Sequence, residues 1–243
     1  MGDCRPASPD ALAAPRAPVL RPDPAAGPRP AAGSSPLPPK EAILLSTRGA
    51  YGFRLDGRDL VTYNHADSDP AYLGAHFVAW LRRHTLAELM ALARRLVVVD
   101  ADVYPEPAEQ AACRAALPDA PADQPGLTWY EFLRSAQGRP ELWDAGLAVL
   151  PDAADFLRES LFCEWAYVAD LDAAVLEVYR GFNRDPGAQA PRYRVDTPDA
   201  LGYWGCRLLA TFPLTALPAP SAFARLCHRA DRRPRGAPAA SVR

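Results

Sequence analysis

The stretch STRGAYGFRLDGRDLVTYNHADSDP, residues 46–70, decides the fold, because it predicts a β-hairpin that ends in a polar cluster. Tyr51, Phe53 and Leu55 alternate with small or polar residues, as in a half-buried strand. Asp56-Gly57 predicts the turn, since a two-residue hairpin loop needs positive φ at both central positions and these residues tolerate it. Apolar residues of a returning strand follow directly. The segment therefore predicts the first two strands of a sheet.

The end of this hairpin carries an unusual density of hydrogen-bonding side chains. Five of them fall within six positions, namely Asn64, His65, Asp67, Ser68 and Asp69. His65 and Asp67 are two residues apart at the end of a strand, so their side chains are expected on one side, with Asn64 and Ser68 on the other. A plain hairpin does not need such a cluster, which makes this corner the first candidate for a functional site.

The corner has two open interpretations. The carboxylate of Asp67 could fix the tautomer of His65 and form an acid–base pair with it. The same pair could also bind a metal with one further ligand, but no second histidine lies at ligand spacing, so we expect no metal and no cofactor. Alternatively, Asp67, Ser68 and Asp69 cap a helix that begins near Pro70, while His65 hydrogen-bonds the turn.

The two ends of the chain differ in composition from its centre. The first 40 residues contain eleven of the 27 prolines and no aromatic residue. Such a segment cannot bury enough apolar surface to offset the entropy of ordering it, so residues 1–44 are predicted to be a disordered Pro/Ala-rich arm. Residues 229–243 are predicted to be a disordered basic tail. Residues 45–218 suit a single domain.

Charge and cysteine usage narrow the class of protein. The net charge is −2 at pH 7, and basic residues are not clustered in excess, so no nucleic-acid surface is expected. No apolar run is long enough to cross a membrane. The cysteines show no CxxC spacing and are odd in number, which favours reduced thiols and a cytoplasmic protein. They are Cys4, Cys113, Cys163, Cys206 and Cys227.

A second hairpin is predicted over residues 160–182, with its turn at 170–173, and a last strand over 202–214. In the first of these strands, Phe162, Glu164 and Val168 are expected on one face, and Cys163, Trp165 and Tyr167 on the other. Helical patterning fills the region between the hairpins, at 70–81, after Thr85, and at 105–114, 128–138, 139–150 and 152–159. Val97–Val99 is predicted to be either a short buried strand or the end of a helix. The fold class is therefore α+β, with an antiparallel sheet of about five strands (two hairpins plus a last strand) and helices inserted between the hairpins and packed on one face.

Glu164 and Arg48 extend the candidate site beyond the hairpin. A carboxylate on the apolar face expected for Glu164 would be costly unless it were paired, and Arg48 or Arg54 is the natural partner. Cys163 beside it is expected to be a small buried hydrophobe. The candidate ligand-binding residues are Arg48, Asn64, His65, Asp67, Ser68 and Glu164.

Ser46 and Thr47, at the start of the first strand, suggest a catalytic alternative. N-terminal-nucleophile hydrolases place a Ser, Thr or Cys on a first strand, and its own α-amine acts as the base. For Ser46 to serve in this way its amine must be free. In the simpler interpretation, Ser46 and Thr47 are ordinary polar residues at a strand start.

The segments STRGAYGFRLDGRDLVTYNHADSDPAYLG and LFCEWAYVADLDAAVLEVYRGF resemble a family of uncharacterised bacterial and phage-encoded proteins. Its members open with Thr-Arg-Gly, form an Asp-Gly hairpin and carry a Tyr-Asn-His-x-Asp-Ser signature. This chain departs from the signature at Ala66, where a bulkier aromatic residue is usual, and at Asp69, where Tyr is usual. The resemblance implies a domain that begins near residue 45, and it brings no established activity.

The sequence is therefore consistent with three functions. The leading prediction is a protein that binds a small polar ligand or a protein partner at the His65–Asp67 corner. The second is an amide hydrolase that uses Ser46 or Thr47, with His65 or Asp67 assisting. The third is a non-enzymatic phage- or host-interaction protein without a pocket.

Overall fold

The computed structural model describes residues 47–117, 119–121, 126–232 and 240–241, all within the unit Leu44–Arg243. The arm predicted over residues 1–44 lies outside the described residues. The strands are β1 (Gly49–Leu55), β2 (Arg58–Asn64), β3 (Val97–Val99), β4 (Val149–Pro151), β5 (Trp165–Asp170), β6 (Val175–Arg180), β7 (Arg207–Pro213) and β8 (Ala240–Ser241). The α-helices are α1 (Ala75–Leu81), α2 (Leu86–Arg95), α3 (Pro107–Arg114), α4 (Trp129–Phe132), α5 (Glu141–Asp144) and α6 (Pro220–Asp231).

The main sheet has the strand order β2-β1-β5-β6-β7, with the two residues of β8 at the far edge. Both predicted hairpins form, β1 with β2 and β5 with β6, and helices occupy the chain between them. The α+β class is therefore confirmed. The two hairpins meet through a parallel pair, in which Tyr51 of β1 lies opposite Tyr167 of β5, so the sheet is mixed rather than antiparallel throughout. A parallel pair needs a long crossover, and the helical region between the hairpins supplies it.

The two faces of the sheet bury different layers. On one face, Phe53, Tyr167 and Phe212 pack with apolar residues of the helices in the larger core. On the other face, Ala166, Val168 and Tyr179 form a smaller core with short helical turns, which contribute Leu157 and Tyr193. Alternate residues of the strands therefore pack into the two cores on opposite faces of the sheet. The α-helices pack on one of these faces, as predicted.

Several boundaries differ from the sequence-based expectation. The strand predicted from residue 160 begins only at Trp165, so its alternation does not extend back to Cys163, which is buried in the smaller core while Phe162 is 41% exposed. The last strand begins at Arg207 rather than at residue 202. Val97–Val99 is a strand, and it pairs in parallel with Val149–Pro151, a segment for which a helix was expected.

The C-terminal boundary also differs. Residues 220–231 form α6, so the domain extends beyond the predicted end at residue 218, and the first residues of the predicted tail are helical. Pro220 occupies the first turn, and Phe223, Cys227 and Ala230 recur at helical spacing on the buried face. This pattern of Pro at the start followed by one apolar stripe was a readable signal. Residues 233–239 lie outside the described part of the chain.

Candidate functional site

The loop that follows β2 is held from inside by its own buried polar side chains. Asn64 is 5% exposed, and its side-chain amide donates to the Ser68 hydroxyl at 2.8 Å and to the Ala66 carbonyl. The backbone amide of Ser68 donates to the Thr47 carbonyl at 3.1 Å. Gly49 lies so close that a Cβ there would meet Ser68 Cβ at 2.6 Å. Ser68 is fully buried, so it holds the loop rather than facing a ligand.

Asp69 begins the helical region, as the capping interpretation predicted. Its carboxylate accepts a hydrogen bond from the amide of Ala71 at 2.8 Å, with Pro70 in the first turn. Its own amide donates to Thr47 Oγ1 at 3.1 Å. Thr47 therefore anchors the loop through both its carbonyl and its hydroxyl, and it does not point into a cavity with His65. Residues 70–74 form a π-helical turn before α1 starts.

His65 lies at the exposed end of β2, and its contacts orient its ring. Nδ1 shares a hydrogen bond of 3.1 Å with the Tyr63 hydroxyl, where the sequence had suggested the Asp67 carboxylate as the orienting group. Burial raises the pKa of Tyr63, so its hydroxyl stays protonated at neutral pH and can donate to His65. The backbone amide of His65 donates to Gln137 Oε1 at 3.0 Å. These contacts tie the loop after β2 to the turn after α4.

An open groove of about 420 Å³ lies beside His65. The chain brings distant segments together there, because the helices between the hairpins fold back over the end of β2. The polar side chains that line it are Asn64 at the end of β2, His65 and Asp67 after β2, His76 in α1, and Arg134 and Gln137 after α4. Three of the six predicted ligand-binding residues are thus gathered around one concave site.

The charges of the groove are mixed. Asp67 is exposed and has a φ of 55°, a left-handed conformation that Asp tolerates better than most residues. Nε2 of His76 lies 3.0 Å from the Glu141 carboxylate. Burial raises the pKa of Glu141, but the hydrogen bond and charge of His76 and the hydrogen bond from Arg139 together outweigh burial and leave this pKa below its usual value. Arg134, which also lines the groove, is exposed.

The other predicted site residues lie elsewhere. Glu164 precedes β5, and its Oε1 accepts a long hydrogen bond of 3.4 Å from the Arg48 amide. The Arg48 guanidinium packs over the Phe162 ring at 4.9 Å. Arg54, the alternative partner of Glu164, pairs with Asp59 at 3.0 Å instead. Neither Arg48 nor Glu164 lines the groove, and Ser46 lies outside the described residues.

Among the groove residues that sequence reasoning missed, four have polar or charged side chains, namely Tyr72, His76, Arg134 and Gln137. Tyr72 and His76 lie in the region predicted to be helical, residues 70–81, and both are exposed, with Tyr72 at 55%. Their exposure depends on where the rest of the helical region packs, so spacing alone could not reveal it. For Arg134 and Gln137 the sequence carries no local signal.

The described residues meet the requirements of neither a metal site nor a membrane-spanning helix. No group of three His, Cys, Asp or Glu side chains there is arranged to hold a metal ion. In the same part of the chain, no helix has the length and apolar character needed to cross a membrane.

Compared with protein-family models, with curated proteins and with solved structures, the chain matched none. The resemblance to uncharacterised bacterial and phage-encoded proteins therefore stays a prediction, and the case for a function rests on the geometry of the site.

Proposed function

We propose that the protein binds a small polar ligand in the groove beside His65. The observation that carries this proposal is the convergence of Asn64, His65, Asp67, His76, Arg134 and Gln137, from three separate segments, on one open cavity of about 420 Å³. Cavities of about 300–1,000 Å³ with a few convergent polar groups are typical of small-molecule sites. The volume suits a ligand of the size of an amino acid or a nucleoside.

The lining indicates the chemistry of the ligand. Arg134 offers a planar guanidinium, which suits a carboxylate or phosphate group. Asp67 accepts hydrogen bonds, so it suits a hydroxyl or amine at a second position. Tyr72 adds an exposed ring at the rim, on which an apolar or planar part of the ligand can rest. A compound that carries both an anionic group and a hydroxyl or amine fits this arrangement best.

The loop is held by hydrogen bonds within the chain. Asn64, Ser68 and Thr47 hold its backbone through buried hydrogen bonds, and the Tyr63 hydroxyl orients the imidazole. Little conformational entropy therefore remains to be lost when a ligand binds, which favours affinity from a small number of contacts.

A thermal-shift screen over amino acids, nucleotides and hydroxy acids tests the proposal. Site variant Arg134→Gln removes the guanidinium, and Arg83→Gln is its matched control, since Arg83 is equally exposed but does not line the groove. We expect at least one compound to raise the melting temperature of the wild type and of Arg83→Gln, and to have a much smaller effect on Arg134→Gln. If no compound stabilises the wild type, or if both variants respond equally, the proposal is wrong.

The other two functions stay predictions. The hydrolase depends on Ser46, which lies outside the described residues, or on Thr47, whose hydroxyl accepts a hydrogen bond from Asp69. Among the described residues, no feature identifies a phage or host partner.

A further inference from the structure

A second, larger groove of about 650 Å³ is lined in part by Tyr63. It opens at the carboxyl ends of the two parallel strands of the small sheet, where Asp100 follows β3 and Asp152 follows β4. The Asp152 amide donates to the Val99 carbonyl at 2.8 Å, which fixes the two strand ends side by side. None of the predicted site residues lies in this groove.

Aromatic rings form one wall of the groove. The Tyr63 ring meets Phe156 edge-on at 5.1 Å between centroids and Tyr130 at 6.1 Å. All three are half-buried, so each ring offers part of its surface to the groove. Faces of aromatic rings attract cations through the ring quadrupole, and they also accept the aliphatic stems of lysine and arginine side chains.

The charge of the groove has a single sign. Five carboxylates line it, from Asp100, Asp102, Asp152, Asp155 and Glu159, and none of its described lining residues is basic. Within the described ranges, only Arg158 forms an ion pair with one of them, to Asp155 at 2.9 Å. The remaining negative charge favours a cation and repels nucleic acid.

The surface beside the groove indicates the size of the partner. Val97, Val103 and Tyr104 flank the lining residues 98–102 in sequence and are 57%, 51% and 62% exposed. Large apolar side chains that are exposed next to the lining residues of a polar groove are typical of a protein-binding surface. A free small cation would leave them uncovered, whereas a peptide would cover them.

We propose that this groove is a docking site for a basic segment of another polypeptide, with an arginine or lysine side chain seated against the Tyr63, Tyr130 and Phe156 wall. The carboxylates at the rim pair with the guanidinium or ammonium group. Apolar residues next to that basic residue in the partner cover Val97, Val103 and Tyr104. The assignment is independent of the ligand proposed for the groove beside His65.

Fluorescence anisotropy with three probes tests the proposal on the full chain. The probes are a labelled peptide GRLRVRG, its matched peptide GQLQVQG, and unlabelled agmatine, a free guanidinium compound, as competitor. We expect the arginine peptide to bind, the glutamine peptide to bind at least about tenfold more weakly, and agmatine to compete only at much higher concentration. Raising the salt concentration should weaken binding severalfold, because exposed charges are screened.

Two variants locate the binding. Asp102→Asn removes a carboxylate of the groove, and Asp196→Asn removes an equally exposed carboxylate outside it. Neither side chain makes a hydrogen bond or an ion pair with another described residue, so both variants should fold. We expect Asp102→Asn to lower the affinity for the arginine peptide at least about threefold and Asp196→Asn to leave it unchanged.

The proposal is overturned if the arginine peptide does not bind. It is also overturned if both variants bind it equally, because the site then lies elsewhere, or if agmatine binds as tightly as the peptide, because the occupant is then a small cation.

Discussion

The imidazole of His228 and the carboxylate of Asp69 lie 3.0 Å apart, although 159 residues separate them. This contact joins α6 to the loop that follows β2. The same carboxylate accepts a hydrogen bond from the amide of Ala71, and the His228 ring also packs edge-on against Trp165 at 6.1 Å. Asp69 therefore belongs to the support of the groove beside His65, and α6 fixes the position of that support.

The contact between Asp69 and His228 should give a measurable coupling energy in the free energy of unfolding. Both side chains are partly exposed, at 28% and 36%, so the pair is partly screened by solvent. We expect a double-mutant cycle of Asp69→Asn and His228→Gln to give a coupling of about 0.2–1 kcal/mol in the free energy of unfolding, the usual range for exposed pairs. Urea unfolding of the four proteins measures it, and additive single effects would show that the contact contributes nothing.

Gly49→Ala should destabilise the domain strongly. A Cβ at this position would lie 2.2 Å from the carbonyl oxygen of Trp165, a backbone atom of the neighbouring strand that cannot move aside without breaking the β1–β5 pair. We expect a loss of about 3 kcal/mol in the free energy of unfolding, at the upper end of the usual cost of overpacking. The matched control is Gly187→Ala, whose Cβ would approach only a side-chain oxygen of Asp185, at 3.3 Å.

Urea unfolding of both glycine variants provides the measurement. If Gly49→Ala is as stable as Gly187→Ala, the close approach of β1 to β5 is not as described.

Asp172 makes stability depend on pH. Its carboxylate accepts hydrogen bonds of 2.9 Å from the amides of Gly57 and Asp56, which close the first hairpin, and these hydrogen bonds lower its pKa below the usual 3.8. The contribution of the ionised Asp172 carboxylate to the free energy of unfolding is therefore fully present above the unfolded-state pKa. It is lost as the pH falls through the lower folded-state pKa.

We expect Asp172→Asn to be less stable than the wild type at pH 6, and the difference to shrink once the pH falls below the usual pKa of an aspartate. Unfolding in urea at several pH values measures it. A difference that stays constant down to the acid limit would contradict the role assigned to this carboxylate.

The cysteines of the domain should react slowly with thiol reagents in the native state. Cys113, Cys163, Cys206 and Cys227 are all buried. Burial raises the pKa of the thiols of Cys113, Cys163 and Cys227, and at Cys163 a hydrogen bond with Cys206 raises it further. The reactive thiolate is therefore disfavoured as well as inaccessible.

The thiol prediction is tested in a Cys4→Ser background, so that only these four thiols are present. We expect the four to react within minutes in denaturant and at least about a hundredfold more slowly without it, at the rate of opening of the domain. Fast labelling of any one of them in the native protein would show that its site opens to solvent.

Structural features that depend only on residues adjacent in sequence were predictable from the sequence. Asp56 and Gly57 adopt φ of 50° and 73° in the hairpin turn, as their chemistry suggested. Thr85 and Glu88 form a capping box at the start of a predicted helix, and Asp69 caps the helical turn that starts at Pro70. Turn and cap geometry involve only a few consecutive residues, so the information needed is local.

The sequence by itself therefore determined the two hairpins, the helices between them and the polar corner at His65. Only the tertiary structure decided that the hairpins meet in parallel, that α6 supports the corner through His228, and that Arg134 and Gln137 complete the groove. These features join segments far apart in the chain. They depend on strand order and on the packing of whole helices, which the spacing of side chains within one segment does not encode.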